Sequence, residues 1–277
     1  MTRMVCVVGA VAIDMIAVRE KFLEGTSNPS DIKLGLGGVG YRIFSNLDAP
    51  RKFITALGAD PISEWARQAL EADGDVALQI VKGGDAGPPL YLALMESGSL
   101  KVGASDFRIL EESLSADFVI SRLGDVGQKD FLVLDANLSP RLLADLARRY
   151  AGRTRVVFEP VSVEKALRHA VALRDLYLLT PTGEELRALT GDVPAFMAER
   201  RIQNILVTRG SEGAQLYRTG GQEDFPPSVV VQAQDTTGAG DLLLAALLSR
   251  LHAGEEMAAA VRGAMAFVEE RLQRGAL

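Results

Sequence analysis

Cysteine and histidine are almost missing from this sequence of 277 residues, which contains one cysteine and two histidines. A single thiol can form neither an internal disulfide nor a zinc site made of several cysteines. Two histidines, His169 and His252, give poor support to a Ser-His-Asp triad or a histidine-bound metal. Because Cys6 lies within an apolar run, we expect a buried strand residue, and a chain suited to a reducing, cytoplasmic compartment.

The sequence also lacks an excess of positive charge and a long apolar run. Lys and Arg number 30 against 36 Asp and Glu, a net charge of -6, and no basic block is present. A nucleic-acid partner is therefore not expected, because such proteins release phosphate counterions with clustered cations. Asp14 interrupts the apolar N-terminal run, and no other stretch approaches the roughly 20 residues of a membrane-spanning helix. A membrane partner is not expected either.

What the sequence does contain is an alternation of short apolar runs with segments of helical period. Runs that are apolar on both faces are typical of parallel strands covered by helices, so we predict an α/β fold with a mostly parallel central sheet. The predicted strands are residues 5–10, 52–57, 131–136, 155–160, 176–180 and 204–208, and the predicted helices are 62–72, 139–151 and 182–191.

Two segments, about 12–36 and 88–105, break this alternation. Residues 30–38 and 88–105 resemble amphipathic strands, the second a hairpin that turns at Ser97-Gly98. Such strands fit a small separate β-sheet better than a buried parallel one. We expect a single domain over residues 1–277 in which these segments form a lid.

The most informative motif is DTTGAGD, residues 235–241, which precedes an almost wholly apolar helix. Small residues at 238–240 let the backbone turn tightly and leave amides uncovered at the helix N-terminus, where anions bind readily. A carboxylate in the first helical turn, Asp241, could accept a proton from a hydroxyl that attacks a phosphoryl group held there. N-capping alone would explain one aspartate, but not the small residues in front of the second.

This motif resembles the signature of the ribokinase-like carbohydrate and nucleoside kinases of the phosphofructokinase-B type. The resemblance implies a three-layer α/β fold with a β-sheet lid, ATP and Mg²⁺ as cofactors, and K⁺ as a candidate monovalent ion. It implies that Asp241 is the catalytic base and that the amides of Gly238, Ala239 and Gly240 form the anion hole. Asp235 and Thr237 would hold the monovalent cation.

Other segments match the family in the same chain order. By resemblance, Asp14, Gly37 and Gly38 would contact the sugar, Glu185 would bind Mg²⁺ through water, and the nucleotide would contact Thr182, Thr208, Gly210 and Gly213. Within the family the pseudouridine kinases are most similar, through the segments SNP (27–29), DANLS (135–139) and EPVS (159–162). Asn28, Asp106 and Asn137 are therefore candidate substrate contacts, although loop capping would also explain each of them.

The resemblance implies that a primary hydroxyl of a nucleoside or sugar is phosphorylated by ATP, with pseudouridine as the favoured acceptor and pseudouridine 5'-phosphate as the product. Kinases of this family often pair through their lids, so a homodimer is a candidate assembly.

Three departures from the family pattern bear on an alternative. Tyr41-Arg42 stands where pseudouridine kinases have Arg-Asn, and a cation cannot copy the paired donor and acceptor of an amide. Arg42 either binds an anionic part of a different substrate or marks a damaged sugar site. Thr182 replaces the asparagine of the magnesium motif, a milder change because Mg²⁺ keeps several waters. Arg42 and a short C-terminus motivate the alternative of a non-catalytic or altered-specificity binder.

A third hypothesis, an NAD-dependent oxidoreductase, depends on Gly35-x-Gly37-x-x-Gly40 with Asp60 at the expected spacing. The alternating sequence before these glycines argues against a buried parallel strand.

Overall fold

The apolar runs become strands of one large sheet in a computed structural model of the chain, which describes residues 3–83, 85, 87–228 and 238–274. The strands are β1 Val5–Val8, β2 Ala12–Arg19, β3 Asp31–Gly37, β4 Arg51–Gly58, β5 Val76–Val81, β6 Leu90–Glu96, β7 Ser99–Asp106, β8 Phe131–Asp135, β9 Arg155–Glu159, β10 Leu178–Leu179, β11 Asn204–Thr208, β12 Ala214–Arg218 and β13 Gly221–Phe225. The α-helices are α1 Val39–Ser45, α2 Pro61–Ala72, α3 Arg108–Ser113, α4 Ala116–Leu123, α5 Pro140–Tyr150, α6 Val163–His169, α7 Gly183–Leu189, α8 Val193–Arg200, α9 Ala239–Ala253 and α10 Met257–Gln273. Short 3₁₀ helices cover Ala170–Ala172 and Gly210–Glu212.

The nine-stranded sheet has the order β13-β12-β11-β10-β9-β8-β1-β4-β5. Its pairs from β5 to β11 are parallel, whereas β12 and β13 join antiparallel at one edge. The predicted α/β fold with a mostly parallel sheet is therefore confirmed. The sequence did not predict the β12–β13 hairpin, and β10 is shorter than expected.

Helices cover both faces of this sheet. Along β1, Val5 and Val7 contact one apolar cluster with helices α1, α2, α9 and α10, while Cys6 and Val8 contact a second cluster on the opposite face. This division follows from the two-residue period of a strand, which points alternate side chains to opposite faces. Cys6 is fully buried, and burial raises the pKa of its thiol to about 12.

A second sheet of four strands, in the order β3-β2-β6-β7, forms the predicted small sheet. Strands β6 and β7 are joined at Ser97 and Gly98, which have φ values of 49° and 82°. Two left-handed residues in a two-residue loop are typical of a tight hairpin turn, so the predicted turn is confirmed. We call this four-stranded sheet the lid.

The topology brings polar residues together at the carboxyl-terminal ends of the parallel strands. Asp135 ends β8, Glu159 ends β9, and Thr208 ends β11, and all three strands are parallel. Ligands of open α/β folds bind outside the carboxyl ends of such strands. Within the described ranges, no helix is long and apolar enough to cross a bilayer.

Candidate active site

Asp241 lies in the first turn of α9, where the motif predicted it. The helix is N-capped by Gly238, whose φ of 86° is left-handed and favours glycine. The amide of Leu242 bonds the carbonyl of Gly238 at 2.9 Å, so the amides of residues 239–241 are the helix donors without an intrahelical partner. Apart from its chain neighbours and the backbone of α9 itself, no described atom lies within 4 Å of the place where a Cβ of Gly240 would stand. The turn is open beside the carboxylate.

The environment of Asp241 gives its carboxyl the pKa of a group that exchanges protons near neutrality. Burial raises this pKa from 3.8 to about 7, the charge of Arg42 opposes the rise, and the charge of Asp135 adds to it. A general base is most effective when its pKa is close to the working pH. The structure thus gives Asp241 the electrostatics of a proton acceptor.

Asp14 and Arg42 form an ion pair at the junction of the lid and the large sheet. Arg42 Nη2 lies 3.0 Å from Asp14 Oδ2, and Asp14 is only 5% exposed. Burial raises the pKa of Asp14, with Arg42 opposing that effect. No described residue bonds the buried second oxygen, Oδ1. That oxygen is a ready acceptor for a ligand hydroxyl.

Glycine at position 37 is required by this pair. A Cβ on Gly37 would stand 2.0 Å from Asp14 Oδ2, far inside ordinary contact distance. At Gly38, with φ 89°, a Cβ would stand 2.7 Å from the amide nitrogen of Ala12. The paired glycines therefore let the start of α1 approach β2 closely enough to place Arg42 beside Asp14.

Arg42 also contacts the turn before Asp241. A Cβ on Gly238 would lie 2.8 Å from Arg42 Nη1, so the guanidinium is packed against the glycine that opens α9. The structure therefore brings together Asp14, Gly37, Arg42, Gly238 and Asp241, which are separated by up to about 230 positions in the sequence.

Asp135 was not predicted as a site residue, although it opens the quoted DANLS segment. It is fully buried, its oxygens accept hydrogen bonds from the amides of Ala10 (2.8 Å) and Asn137 (2.9 Å), and burial raises its pKa. The signal that could have found it is a carboxylate at the end of a wholly apolar strand. A charge in that position is costly unless it is held by donors, as here.

Asn137, a predicted substrate contact, is 99% buried at the same edge. Its Oδ1 accepts a hydrogen bond from Lys165, whose ammonium also lies 5.0 Å from the centre of the Phe107 ring. Burial lowers the pKa of Lys165, with Asp135 opposing. The sequence does not single out Lys165, because the helical period of residues 164–175 fits a solvated surface helix equally well.

Two other predicted substrate contacts have local partners. The side chain of Asn28 accepts from the amide of Leu23 at 2.8 Å and donates to the carbonyls of Leu23 and Thr26. Asp106 forms a forked ion pair with Arg108, at 2.5 Å for the shortest contact. Asp106, Phe107 and Lys165 line one cavity of about 500 Å³. The structure places Asp106 near the Asn137 side of the site and keeps Asn28 within its own loop.

The predicted nucleotide residues gather at the ends of β10 and β11. Thr182 and Thr208 form a parallel bridge, and Thr182 caps α7 in a capping box with Glu185. Gly210 opens the 3₁₀ turn that follows β11, and Gly213 closes it with φ 87° and no room for a Cβ, since Phe225 O would lie 2.1 Å away.

Glu185 is buried, and burial raises its pKa. The pKa of Glu159 is raised well above its ordinary value, first by burial and then by the charges of Asp241 and Glu185. Glu159 was not predicted as a site residue. Within the described ranges no cluster of three acidic, histidine or cysteine residues is available to a metal. Mg²⁺ is usually held by one or two carboxylates, phosphates and waters, so Glu185 and Glu159 fit that ion. Asp235 and Thr237, the predicted monovalent-cation residues, lie outside the described residues.

The oxidoreductase hypothesis is wrong. Gly35 and Gly37 belong to β3, which pairs antiparallel with β2 in the lid rather than parallel in the large sheet. Asp60 is used as the N-cap of α2, where its carboxylate accepts from the amides of Ile62 and Ser63. Neither the strand nor the acidic residue has the setting of a dinucleotide site.

An α/β fold with a lid, an open helix N-terminus and an adjacent carboxyl whose pKa is near neutrality is the arrangement expected of a phosphotransferase that acts on an alcohol group. The comparisons agree: the description "pfkB family carbohydrate kinase" matches residues 2–274, so the chain belongs to this family and is a carbohydrate or nucleoside kinase. Kinases of this family use ATP.

The curated relatives support the same assignment, and the solved structures support the fold. The chain is 25% identical to the pseudouridine kinase of Escherichia coli strain K12, over 93% of this chain and 87% of that one. A carbohydrate kinase from Agrobacterium tumefaciens superposes with a TM-score of 0.81 at 25% identity, covering 98% and 91% of the two chains. The ribokinase of Arabidopsis thaliana, solved with ribose and ATP, has a TM-score of 0.79 at 21% identity and covers 100% and 95%.

Proposed function

We propose that the protein transfers the γ-phosphate of ATP to a primary hydroxyl of a nucleoside or sugar, with pseudouridine as the favoured acceptor. The observation that carries the proposal is the convergence of Asp241, the open turn at Gly238 and the buried acceptor Asp14 Oδ1. In this proposal Asp241 would take the hydroxyl proton, and Asp14 would hold a neighbouring hydroxyl.

In the proposed reaction, ionised Asp241 accepts the proton of the attacking hydroxyl as that oxygen bonds the γ-phosphorus. The amides at Gly238, Ala239 and Gly240 donate to the phosphoryl oxygens. Asp14, Gly37 and Gly38 form the sugar side of the site. Closure of the lid would exclude water, which protects ATP from hydrolysis.

Two contacts favour a nucleoside such as pseudouridine over a simple sugar. The DANLS and EPVS segments meet in the structure, because Ser162 caps α6 and places Lys165 in its first turn, from where Lys165 reaches Asn137 Oδ1. With its oxygen held by the ammonium, the amide group of Asn137 is oriented to donate to a carbonyl such as those of a uracil ring. The similarity to pseudouridine kinase supports the same acceptor.

For the cofactors, we propose that Thr182, Thr208, Gly210 and Gly213 contact ATP and that Glu185 orients Mg²⁺-bound water, with Glu159 beside it. K⁺ at Asp235 and Thr237 remains part of this proposal, as do the single-domain organisation of residues 1–277 and a cytoplasmic location. The substrate contacts of Asn28 and Asp106 also stay proposals.

A homodimer formed through the lid is supported by one face of that sheet. Ile32, Leu34, Leu92 and Val102 are 47–67% exposed, and the strand register places them on the face opposite Asp14 and Tyr91. A second copy would offer the same apolar face. Light scattering should give a dimer mass for the wild type and a monomer mass for Leu34→Lys, and a wild-type monomer at all concentrations would contradict pairing.

The decisive experiment incubates the protein with ATP, Mg²⁺, K⁺ and a panel of pseudouridine, uridine, ribose and hexoses, and measures ADP and phosphorylated product. We expect turnover, fastest with pseudouridine, and none for Asp241→Asn, while Asp145→Asn on the surface of α5 keeps wild-type activity. The non-catalytic alternative is not favoured by the family relationship. It would be supported by ligand-dependent thermal stabilisation without any turnover.

A further inference from the structure

Arg42 connects the two halves of the site. Its Nη2 bonds Asp14 Oδ2 at 3.0 Å on the lid side, and its Nη1 faces Gly238 on the side of the anion hole. Helix α1, which carries Arg42, packs against α9. The guanidinium is thus bonded to Asp14 at one end and packed against Gly238 at the other, and its side chain is 27% exposed.

The ion pair with Asp14 does not by itself account for the position of the Arg42 guanidinium beside Gly238. A guanidinium has five N–H donors in a planar fork, and the pair uses one nitrogen. The second terminal nitrogen is directed at the one turn whose amides would also bind an anion. The charge of Arg42 also lowers the pKa of Asp241, so its field reaches that carboxylate too.

The charge balance of the site points the same way. Asp14, Asp135, Asp241 and Glu159 are acidic groups whose pKa values are raised, mainly by burial. A transferred phosphoryl group would bring further negative charge into these surroundings. Lys165 bonds Asn137, so Arg42 is the cation that the described part of the chain places beside the Gly238 turn.

We propose that Arg42 is a catalytic residue that binds the transferred phosphoryl group through Nη1 while Asp14 holds Nη2, an inference that rests on the proposed function. As the acceptor oxygen bonds the γ-phosphorus, its proton passes to Asp241. The bond from phosphorus to the β–γ bridging oxygen breaks, and its electron pair leaves with ADP. Arg42 stays protonated throughout and neutralises the phosphoryl oxygens.

This assignment differs from an arginine that selects an anionic acceptor. For that role Nη1, which bonds no described residue, would have to face the acceptor side, where Asp14 would repel an acidic substituent. The observed position of Nη1 beside Gly238 instead favours binding of the transferred phosphoryl group, which is the same for every acceptor. Arg42 should therefore affect turnover of neutral acceptors.

The test compares the wild type with Arg42→Asn, Arg42→Lys and Arg42→Ala. Loss of one donor to a developing phosphoryl charge typically lowers kcat about 100-fold or more. We expect that loss in the asparagine and alanine variants, with acceptor KM changed less than about threefold, and partial rescue of Arg42→Ala by guanidinium ion. Arg201→Asn, which removes an exposed Arg–Asp pair with Asp175 away from the site, should leave kcat unchanged.

Calorimetric titration of Mg-ADP with aluminium fluoride, a mimic of the transferred group, adds a readout independent of turnover. The affinity for Mg-ADP with aluminium fluoride should fall at least tenfold in Arg42→Asn and should stay at the wild-type value in Asp241→Asn. A kcat of Arg42→Asn within threefold of wild type overturns the inference, as does a defect confined to KM for acidic acceptors. If no acceptor is phosphorylated but aluminium fluoride binding still depends on Arg42, the role of Arg42 stands and the proposed acceptor falls. Absence of that dependence overturns the role of Arg42.

Discussion

Replacing Asp241 by asparagine should stabilise the folded protein at alkaline pH while it removes the proposed base. The pKa of this carboxyl is 3.8 in its ordinary setting and about 7 in the folded protein, chiefly because of burial. Between these values the folded state keeps a proton that the unfolded chain has released. The stability of the wild type therefore falls as the pH rises from about 4 to about 7. Asparagine does not titrate, so the variant escapes this loss.

The size of the effect follows from the two pKa values. Each tenfold change in acid dissociation corresponds to about 1.4 kcal/mol, so the full difference reaches about 4 kcal/mol at pH 8. At pH 5 only roughly 1.5 kcal/mol is expected, because the effect grows by about 1.4 kcal/mol per pH unit and pH 5 lies only about one unit above the pKa of the unfolded carboxyl. The attraction of Arg42 for ionised Asp241 is already included in the folded pKa.

The assay is urea unfolding followed by circular dichroism at pH 5, 6, 7 and 8. The unfolding free energy of Asp241→Asn should exceed that of the wild type by an amount that grows with pH and levels off above pH 7. Asp145→Asn is the matched control, because Asp145 is a surface residue paired with Arg148. A difference that stays constant from pH 5 to 8, or that favours the wild type at pH 8, would show that the pKa of Asp241 is not raised in the folded protein.

Three further predictions use the same site. With a base of pKa about 7, kcat/KM should rise about tenfold per pH unit below pH 7 and become flat above it, as measured with a neutral acceptor. Gly37→Ala places a methyl group 2.0 Å from Asp14 Oδ2. Acceptor KM should therefore rise at least about tenfold, and the free energy of unfolding should fall by about 1–3 kcal/mol. Gly35→Ala is the control and should change neither quantity, because there is open space around Gly35. Lys165→Met removes the donor that orients Asn137, so KM for nucleosides should rise several-fold while KM for ATP stays constant; a wild-type nucleoside KM would remove Lys165 from the site.

The parts of the site that were predictable are those written in consecutive residues. The run of small residues at 238–240 followed by a carboxylate specifies a tight turn, open amides and Asp241 in one local segment. The lid hairpin was equally local, because Ser97-Gly98 supplies both left-handed residues of its turn. Short-range backbone preferences decide such features without help from distant residues.

Asp135, Glu159 and Lys165 were missed because their importance depends on neighbours that are remote in the chain. Asp135 looks like an ordinary polar residue at the end of a strand until Ala10, 125 positions away, donates to it. Lys165 has a helical spacing that fits a solvated face equally well, and only the approach of Asn137 and Phe107 buries it. Periodicity describes one element at a time and carries no information about which element packs beside it.

By itself the sequence determined the α/β class, the lid, the glycine turn and the family of kinases, since each depends on hydrophobic period or on a contiguous motif. Only the tertiary structure decided what Arg42 does. In the sequence it was a departure with two opposing interpretations, whereas in the fold it lies between Asp14 and Gly238. The physical reason is that the effect of a charge depends on the charges and dipoles within a few ångströms of it, and those distances exist only after the chain has folded.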